Sequence, residues 1–213
     1  MKKLASVLVL ILFLLNFSSA SSVRPASSPL QVFSNAWNDK KYDAANTARD
    51  AVYMTETERQ VIYILNLVRM NPALFKNTVV QQYPDYKRNA KLKFSSYYKS
   101  LCLTLSSLKA LPVLLPNKVH FESARCHAET SGKNGYVGHD RLTDACRKTS
   151  TYNGECISYG YSDALDIVMA LLIDENVPDL GHRINFLGNF KSIGVSIQPH
   201  KTYRYNAVID FGS

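Results

Sequence analysis

Several things are scarce in this chain, and each scarcity excludes something. Past residue 20 no stretch approaches the ~20 apolar residues a membrane-crossing helix needs, so no transmembrane segment is expected in the mature chain. No cysteine precedes Cys102, which argues against lipid attachment near the amino terminus. Basic residues exceed acidic ones, 25 to 17, but they are scattered and only densest from Lys87 to Lys99. Without a single basic face, nucleic acid is not an expected partner; a solvated surface that can rest on anionic envelope polymers is. No internal repeat is visible, and no Ser or Cys sits in a recognisable activated-nucleophile motif.

The first residues predict export. Lys2 and Lys3 precede an apolar run from Leu4 to Leu15, and Ser18-Ser19-Ala20 supplies small residues for cleavage after Ala20. Removing residues 1–20, which carry two lysines and no acid, lowers the formal charge from +8 to +6. The mature protein is expected outside the cytoplasm, secreted or periplasmic, and monomeric. Residues 21–52 are rich in Ser, Ala, Asn and Asp with no sustained apolar period, and read as a flexible tether in which Val32-Phe33 and Trp37 leave room for one short packed segment. Residues 53–213 then form one domain, with a polar, Tyr- and Lys-rich stretch at 77–100.

Thr55 to Glu58 forms a capping-box pattern ahead of Val61, Ile64, Leu65 and Val68 at helical spacing. Asn71-Pro72 ends that helix. Leu101–Leu108 reads as helical, and Leu111 to Pro116 as an extended connector. Asn117 caps a helix to about Gly132, and another helix runs from Ser162 or Asp163 to about Ile173. Alternation in 192–198 and 203–211 predicts two strands joined near Pro199-His200-Lys201-Thr202. The class is α+β, with helices against a small, mainly antiparallel sheet.

Four cysteines in an exported chain favour two disulfides. Three pairings are possible; proximity favours Cys146 with Cys156, leaving Cys102 with Cys126, against an alternative of buried free thiols. His127-Ala128-Glu129 imitates half of a zinc-deaminase motif, but no Pro-Cys-x-x-Cys follows. Residues i and i+2 on a helix also point about 200° apart. His127 is therefore an inward-facing helix histidine or lies at the edge of a site, while His120 and His200 read as surface or turn residues.

Three glycine-flanked residues are more informative: His139 after Gly138, Glu155 after Gly154, and His182 after Gly181. Asp179 is the expected N-cap of a helix opening at Gly181-His182. Asp174-Glu175 adds acids at the end of the preceding helix. Two imidazoles and two carboxylates suit either an open zinc-like site or proton transfer near neutral pH. No His-x-x-x-His pair is present, so spacing leaves a bland hydrogen-bonded quartet equally open.

The order Gly138-His139, Gly154-Glu155, Gly181-His182-Arg183-x-Asn185-x-Leu187, Ile193-Gly194-Val195 and Asp210-Phe211-Gly212 resembles the CAP superfamily, in its bacterial secreted branch. That superfamily comprises cysteine-rich secretory proteins, antigen 5 and pathogenesis-related proteins. Leu65-Asn66-x-x-Arg69 and Ala124-x-x-His127 extend the resemblance over residues 55–213, with 77–100 resembling an insertion. It implies a three-layer α-β-α sandwich with a cleft lined by His139, Glu155, Asp174 and His182. Glu175 is the alternative second acid, because Leu171-Leu172-Ile173-Asp174 stands where relatives carry Trp-x-x-Glu. Cys156 likewise departs from the usual Gly-Glu-Asn. Arg183, Asn185 and Leu187 read as scaffold.

The leading expectation is a secreted binding protein whose cleft holds a small ligand, with His139 and His182 able to coordinate Zn2+. The 13 tyrosines admit a lipid or sterol groove. The alternatives are a metal-assisted hydrolase, in which Glu155 or Asp174 serves as general base, and an interaction module without cleft chemistry.

Overall fold

A computed structural model of the chain describes residues 27–213. The expected leader, its Ala20 cleavage site and the first residues of the expected tether lie outside that range. Among the described residues no helix is long and apolar enough to cross a membrane.

Residues 27–52 are not a tether. They wind through short 3-10 turns, Asn35–Asn38 and Lys40–Ala45, that bury Trp37, Tyr42 and Ala45. Ala48 and Ala51 continue the buried surface. The Trp37 ring packs 4.9 Å from Tyr42 and 6.4 Å from Phe75, and its Nε1 donates to Thr78 Oγ1 at 3.0 Å. Small residues that lack an apolar period permit this close winding, so the composition of a linker here makes a packed strap.

Helix α1 (Glu56–Met70) starts on the expected capping box: Thr55 Oγ1 accepts from Glu58 N while Glu58 Oε2 accepts from Thr55 N. Asn66 pins the following connector by bonding both Leu114 N and Leu114 O, and Arg69 reaches the carbonyls of Pro112, Phe186 and Gly188. Next come α2 (Pro72–Phe75), a π turn (Lys76–Val80), α3 (Gln81–Tyr86) and α4 (Ser96–Ser107). The 77–100 stretch buries Val79, Val80, Tyr83 and Tyr98, so it is part of the core.

Strand β1 (Leu115–Pro116) leads into α5 (Lys118–Asn134), capped by Asn117 as expected. Then follow α6 (Asp144–Thr149), β2 (Gly154–Tyr159), α7 (Ala164–Ile173) capped by Asp163, α8 (Gly181–Phe186), β3 (Ser192–His200) and β4 (Arg204–Gly212). The strand order is β1-β3-β4-β2, antiparallel except for β1 with β3.

The sheet divides the molecule into three layers. Ile193, Val195, Ile209, Phe211 and Cys156 join the core built with α1 and α7. Ile157 and Val208 face Ala124 and Ala128 of α5 on the other side. α5 lies so close that a Cβ on Gly194 would meet Phe121 N at 2.1 Å. The fold is thus α+β, with helices on both faces of a small sheet.

The same division overturns the expected cysteine pairing. Cys126 of α5 is bonded to Cys146 of α6, with Cα atoms 5.4 Å apart, while Cys102 and Cys156 are free. Cys156 points into the α1/α7 core, and α6 packs with α5 on the opposite side, so Cys146 cannot reach it. Cys102, on α4, is separated from Cys126 in the same way. Closing a loop of about 20 residues contributes roughly 3 kcal/mol, and that loop carries Gly138-His139.

Because Trp37 is 1% exposed, Trp37→Ala is expected to cost about 3–5 kcal/mol, measured by urea unfolding followed in the far-ultraviolet. A loss below about 0.5 kcal/mol, the range of ordinary surface changes, would return this segment to the status of a tether.

Candidate functional site

Two histidine–carboxylate pairs form, one on each side of β2. The first is built where α7 ends. Asp174 adopts a left-handed conformation (φ 59°), and Asn176 and Leu180 do the same within the next six residues. Such a conformation costs Asp and Asn little but leucine about 1–2 kcal/mol, so the turn must be held from outside. Asp174 holds it. Its Oδ2 accepts from His182 N (3.0 Å) and Arg183 N (3.2 Å), and its Oδ1 lies 2.7 Å from His182 Nδ1. Asp174 therefore caps α8, correcting the expectation for Asp179, which only accepts from Gly181 N at 3.3 Å. Arg183 closes the exchange by donating to Leu172 O, Ile173 O, Tyr97 O and Ser100 Oγ, the scaffold role expected of it.

The second pair depends on the loop after α5. Gly135 (φ 68°) ends that helix and Gly138 (φ 139°) turns the chain back. His127, fully buried, bonds Gly138 O through Nε2 at 2.9 Å, and Tyr159 Oη accepts from Gly138 N. Burial and the nearby Arg141 push the His127 imidazolium down, so the neutral ring donates from Nε2. His127 is an anchor for the loop rather than a cleft ligand. His139 Nδ1 then meets Glu155 Oε1 at 2.7 Å; the His139 side chain is 57% exposed and that of Glu155 2%.

Beneath Glu155 lie two residues that the sequence reading missed. Arg141 Nη2 sits 2.6 Å from Glu155 Oε2 and 3.5 Å from Asp210 Oδ2, and strand register places Glu155 directly opposite Asp210. Desolvation works to raise the Glu155 carboxyl, but His139 and Arg141 outweigh it and hold it below its ordinary range. Asp210 goes the other way: burial, then the Glu155 charge, push it up to about 8. The Glu155 bond raises His139 above the ordinary imidazole value, against its partial burial. Alternation in β4 could have flagged Asp210, since it leaves the apolar Ile209 and Phe211 on one face and an acid on the other. Only the covering α5 makes that second face buried. Arg141 carried no signal.

The remaining expected residues fall elsewhere. Glu175 is exposed and accepts from Ser95 Oγ at 2.6 Å, so Asp174 is the acid paired with His182. His200, expected as a surface or turn residue, is a buried turn residue: its Nε2 meets Tyr136 O, and its Nδ1 accepts from Thr202 N and Tyr203 N, closing the β3–β4 turn. His120 is half-buried against Ser192 Oγ.

A cleft of about 800 Å³ opens beside β2, lined by Asp174, Glu175 and His182 together with Leu92, Ile157 and Tyr159. His139 and Glu155 are not part of this lining. They lie on the α5 side of the strand, whereas His182 is on the Cys156 side, where Cys156 Sγ approaches His182 O at 3.6 Å. The expected single four-residue lining is therefore two pairs flanking one strand. A carboxylate at Nδ1 fixes each neutral ring with its proton there, which leaves Nε2 as a free acceptor. Among the described residues no three His, Cys, Asp or Glu side chains converge on a point. Each pair therefore offers one imidazole nitrogen with a carboxylate behind it, and the described residues form no closed structural metal site.

No protein-family model and no curated protein matches the chain. Among solved structures, an outer surface protein from Borrelia burgdorferi is similar at 19% identity over 58% of this chain and 93% of that one, with a TM-score of 0.39.

Asp210 makes a measurable demand on pH. Its folded-state value lies above the ordinary 3.8, so the native state binds more protons and loses stability as pH rises from 3.8 to about 8. Asp210→Asn removes that component. Urea unfolding is expected to show the variant gaining on the parent by about 1 kcal/mol or more between pH 5 and pH 8. A difference constant across that interval would contradict the assignment.

Proposed function

We propose that this is an exported binding protein of the CAP type, whose cleft beside β2 receives a small ligand and whose His139 and His182 imidazoles, one on each flank of the strand, each offer Nε2 to a divalent cation. The observation that carries the reading is the paired geometry: each histidine turns Nδ1 to a buried carboxylate, at 2.7 Å in both cases, and keeps Nε2 free. Carboxylates placed this way orient a metal-binding ring and raise its basicity. Export is supported by the Lys2-Lys3 and Leu4–Leu15 pattern and by the Cys126–Cys146 bridge, which suits an oxidising compartment. The CAP relationship is supported by the ordered motifs Gly138-His139, Gly154-Glu155 and Gly181-His182, which supply both pairs.

Binding is favoured over hydrolysis. The Glu155 and Asp174 side chains are 2% and 1% exposed and already bonded to imidazole, so neither is presented to a cleft substrate as a general base. The aromatic and aliphatic lining from Tyr83, Leu92, Tyr159 and Leu171 suits a ligand with an apolar body, a lipid or sterol among them.

Zinc titration by calorimetry on chelator-stripped protein tests the cation. His139→Ala and His182→Ala are each expected to weaken zinc binding about tenfold or more, with His139, being exposed, leaving the fold intact. Affinity that is absent in the parent, or unchanged by both substitutions, would end the metal reading.

A further inference from the structure

Among the described residues β2 is an edge strand whose outer edge is open between Glu155 and Gly160. Register and the bond from Gly160 N to Tyr205 O show that the even-numbered residues Gly154, Cys156 and Ser158 turn their backbone groups toward β4. Glu155, Ile157 and Tyr159 therefore present theirs outward, as in any antiparallel ladder. At one end Asn185 Nδ2 donates to Glu155 O at 3.1 Å and closes the edge. At the other, Gly160 turns the chain away at φ 89°. Between them the N–H and C=O groups of Ile157 and Tyr159 have no partner among the described residues. They face the 800 Å³ cleft, which Ile157, Ser158 and Tyr159 line.

The segment Ile157-Ser158-Tyr159 carries no charge and no proline, and α8 covers only the Glu155 end. Two donors and two acceptors alternating at strand spacing are satisfied together by an extended polypeptide, which would occupy the cleft in place of a small apolar ligand. The charges around the cleft say more about the occupant. Asp174 is bonded to His182 and the α8 amides, Asp166 to Lys87 at 2.6 Å, and Glu175 to Ser95. Lys91, exposed on the cleft wall, has no acidic partner among the described residues.

We propose that the cleft takes an extended peptide segment of a partner protein, which adds a strand to β2 at Ile157 and Tyr159 and places a carboxylate against Lys91. The proposal goes beyond the cation reading and does not need it: no metal and no imidazole nitrogen takes part in the pairing.

The test uses the hexapeptide Ac-Glu-Val-Thr-Val-Glu-Val-amide, its counterpart with Lys for Glu, and the acidic peptide N-methylated at alternate residues, all in the presence of EDTA. Amide hydrogen exchange is followed by nuclear magnetic resonance. The acidic peptide is expected to slow exchange at Ile157 and Tyr159 about tenfold or more, the range of a ligand well above its dissociation constant. N-methylation removes that protection, and Lys91→Glu reverses the preference between the two charged peptides. Absence of protection at millimolar peptide overturns the proposal. So does equal binding of the N-methylated peptide, which would mean docking by side chains alone. Protection that grows with protein concentration without peptide would assign the edge to a second copy of this chain and overturn it as well. Peptide protection in a parent protein that binds no zinc would support this proposal while ending the cation reading, which keeps the two failures distinguishable.

Discussion

The exchange between Asp174 and Arg183 is the constraint on which the cleft depends. Asp174 ends α7 in a conformation its neighbours Asn176 and Leu180 share at a cost, and its carboxylate starts α8 by accepting two backbone amides. Arg183 returns the interaction by holding the last carbonyls of α7 and two groups of α4. The buried carboxylate and the buried guanidinium each bond backbone groups, with His182 Nδ1 and Ser100 Oγ taking up the rest, so neither is left as an uncompensated charge. His182 sits at the centre of this exchange, so its ring is positioned by the same atoms that join the two helices.

The second histidine is positioned by different means. There a disulfide, a buried His127 and two positive-φ glycines shape the loop, and a carboxylate cluster under β2 receives the ring. Ser123 Oγ, His127 Nδ1, Arg141 Nε and Asp210 Oδ1 are buried there without a hydrogen-bond partner among the described residues. Four such atoms around the Glu155–Arg141 ion pair mark a polar interior in an otherwise apolar interface between α5 and the sheet. The raised Asp210 value follows from it, because two carboxylates facing each other across a ladder cannot both ionise beside one arginine.

Much of the frame was legible in the residues. The Thr55–Glu58 box, the Asn117 and Asp163 caps and the alternation of β3 and β4 are local signals, and each produced the element expected of it. Asp174 was preferred to Glu175 as the second acid of the cleft, and Asp174 is the one that meets His182. What was not legible required tertiary knowledge. The Cys126–Cys146 bond follows from which face of the sheet each cysteine occupies, not from distance along the chain. Residues 27–52 lack a period because small residues and one tryptophan pack them, so their composition resembled a linker. β2 was missed since its apolar residues are few and its acid points inward, and with it went the recognition of Asp210 and Arg141.

The central claim is that both carboxylates hold imidazole Nδ1–H and leave Nε2 unprotonated and free. Long-range proton–nitrogen correlation spectra of the neutral histidine rings test it directly. The account predicts Nδ1–H tautomers for His139 and His182, with Asp174→Asn returning His182 toward the Nε2–H form usual for an unconstrained ring. Nε2–H tautomers in the parent protein would contradict it.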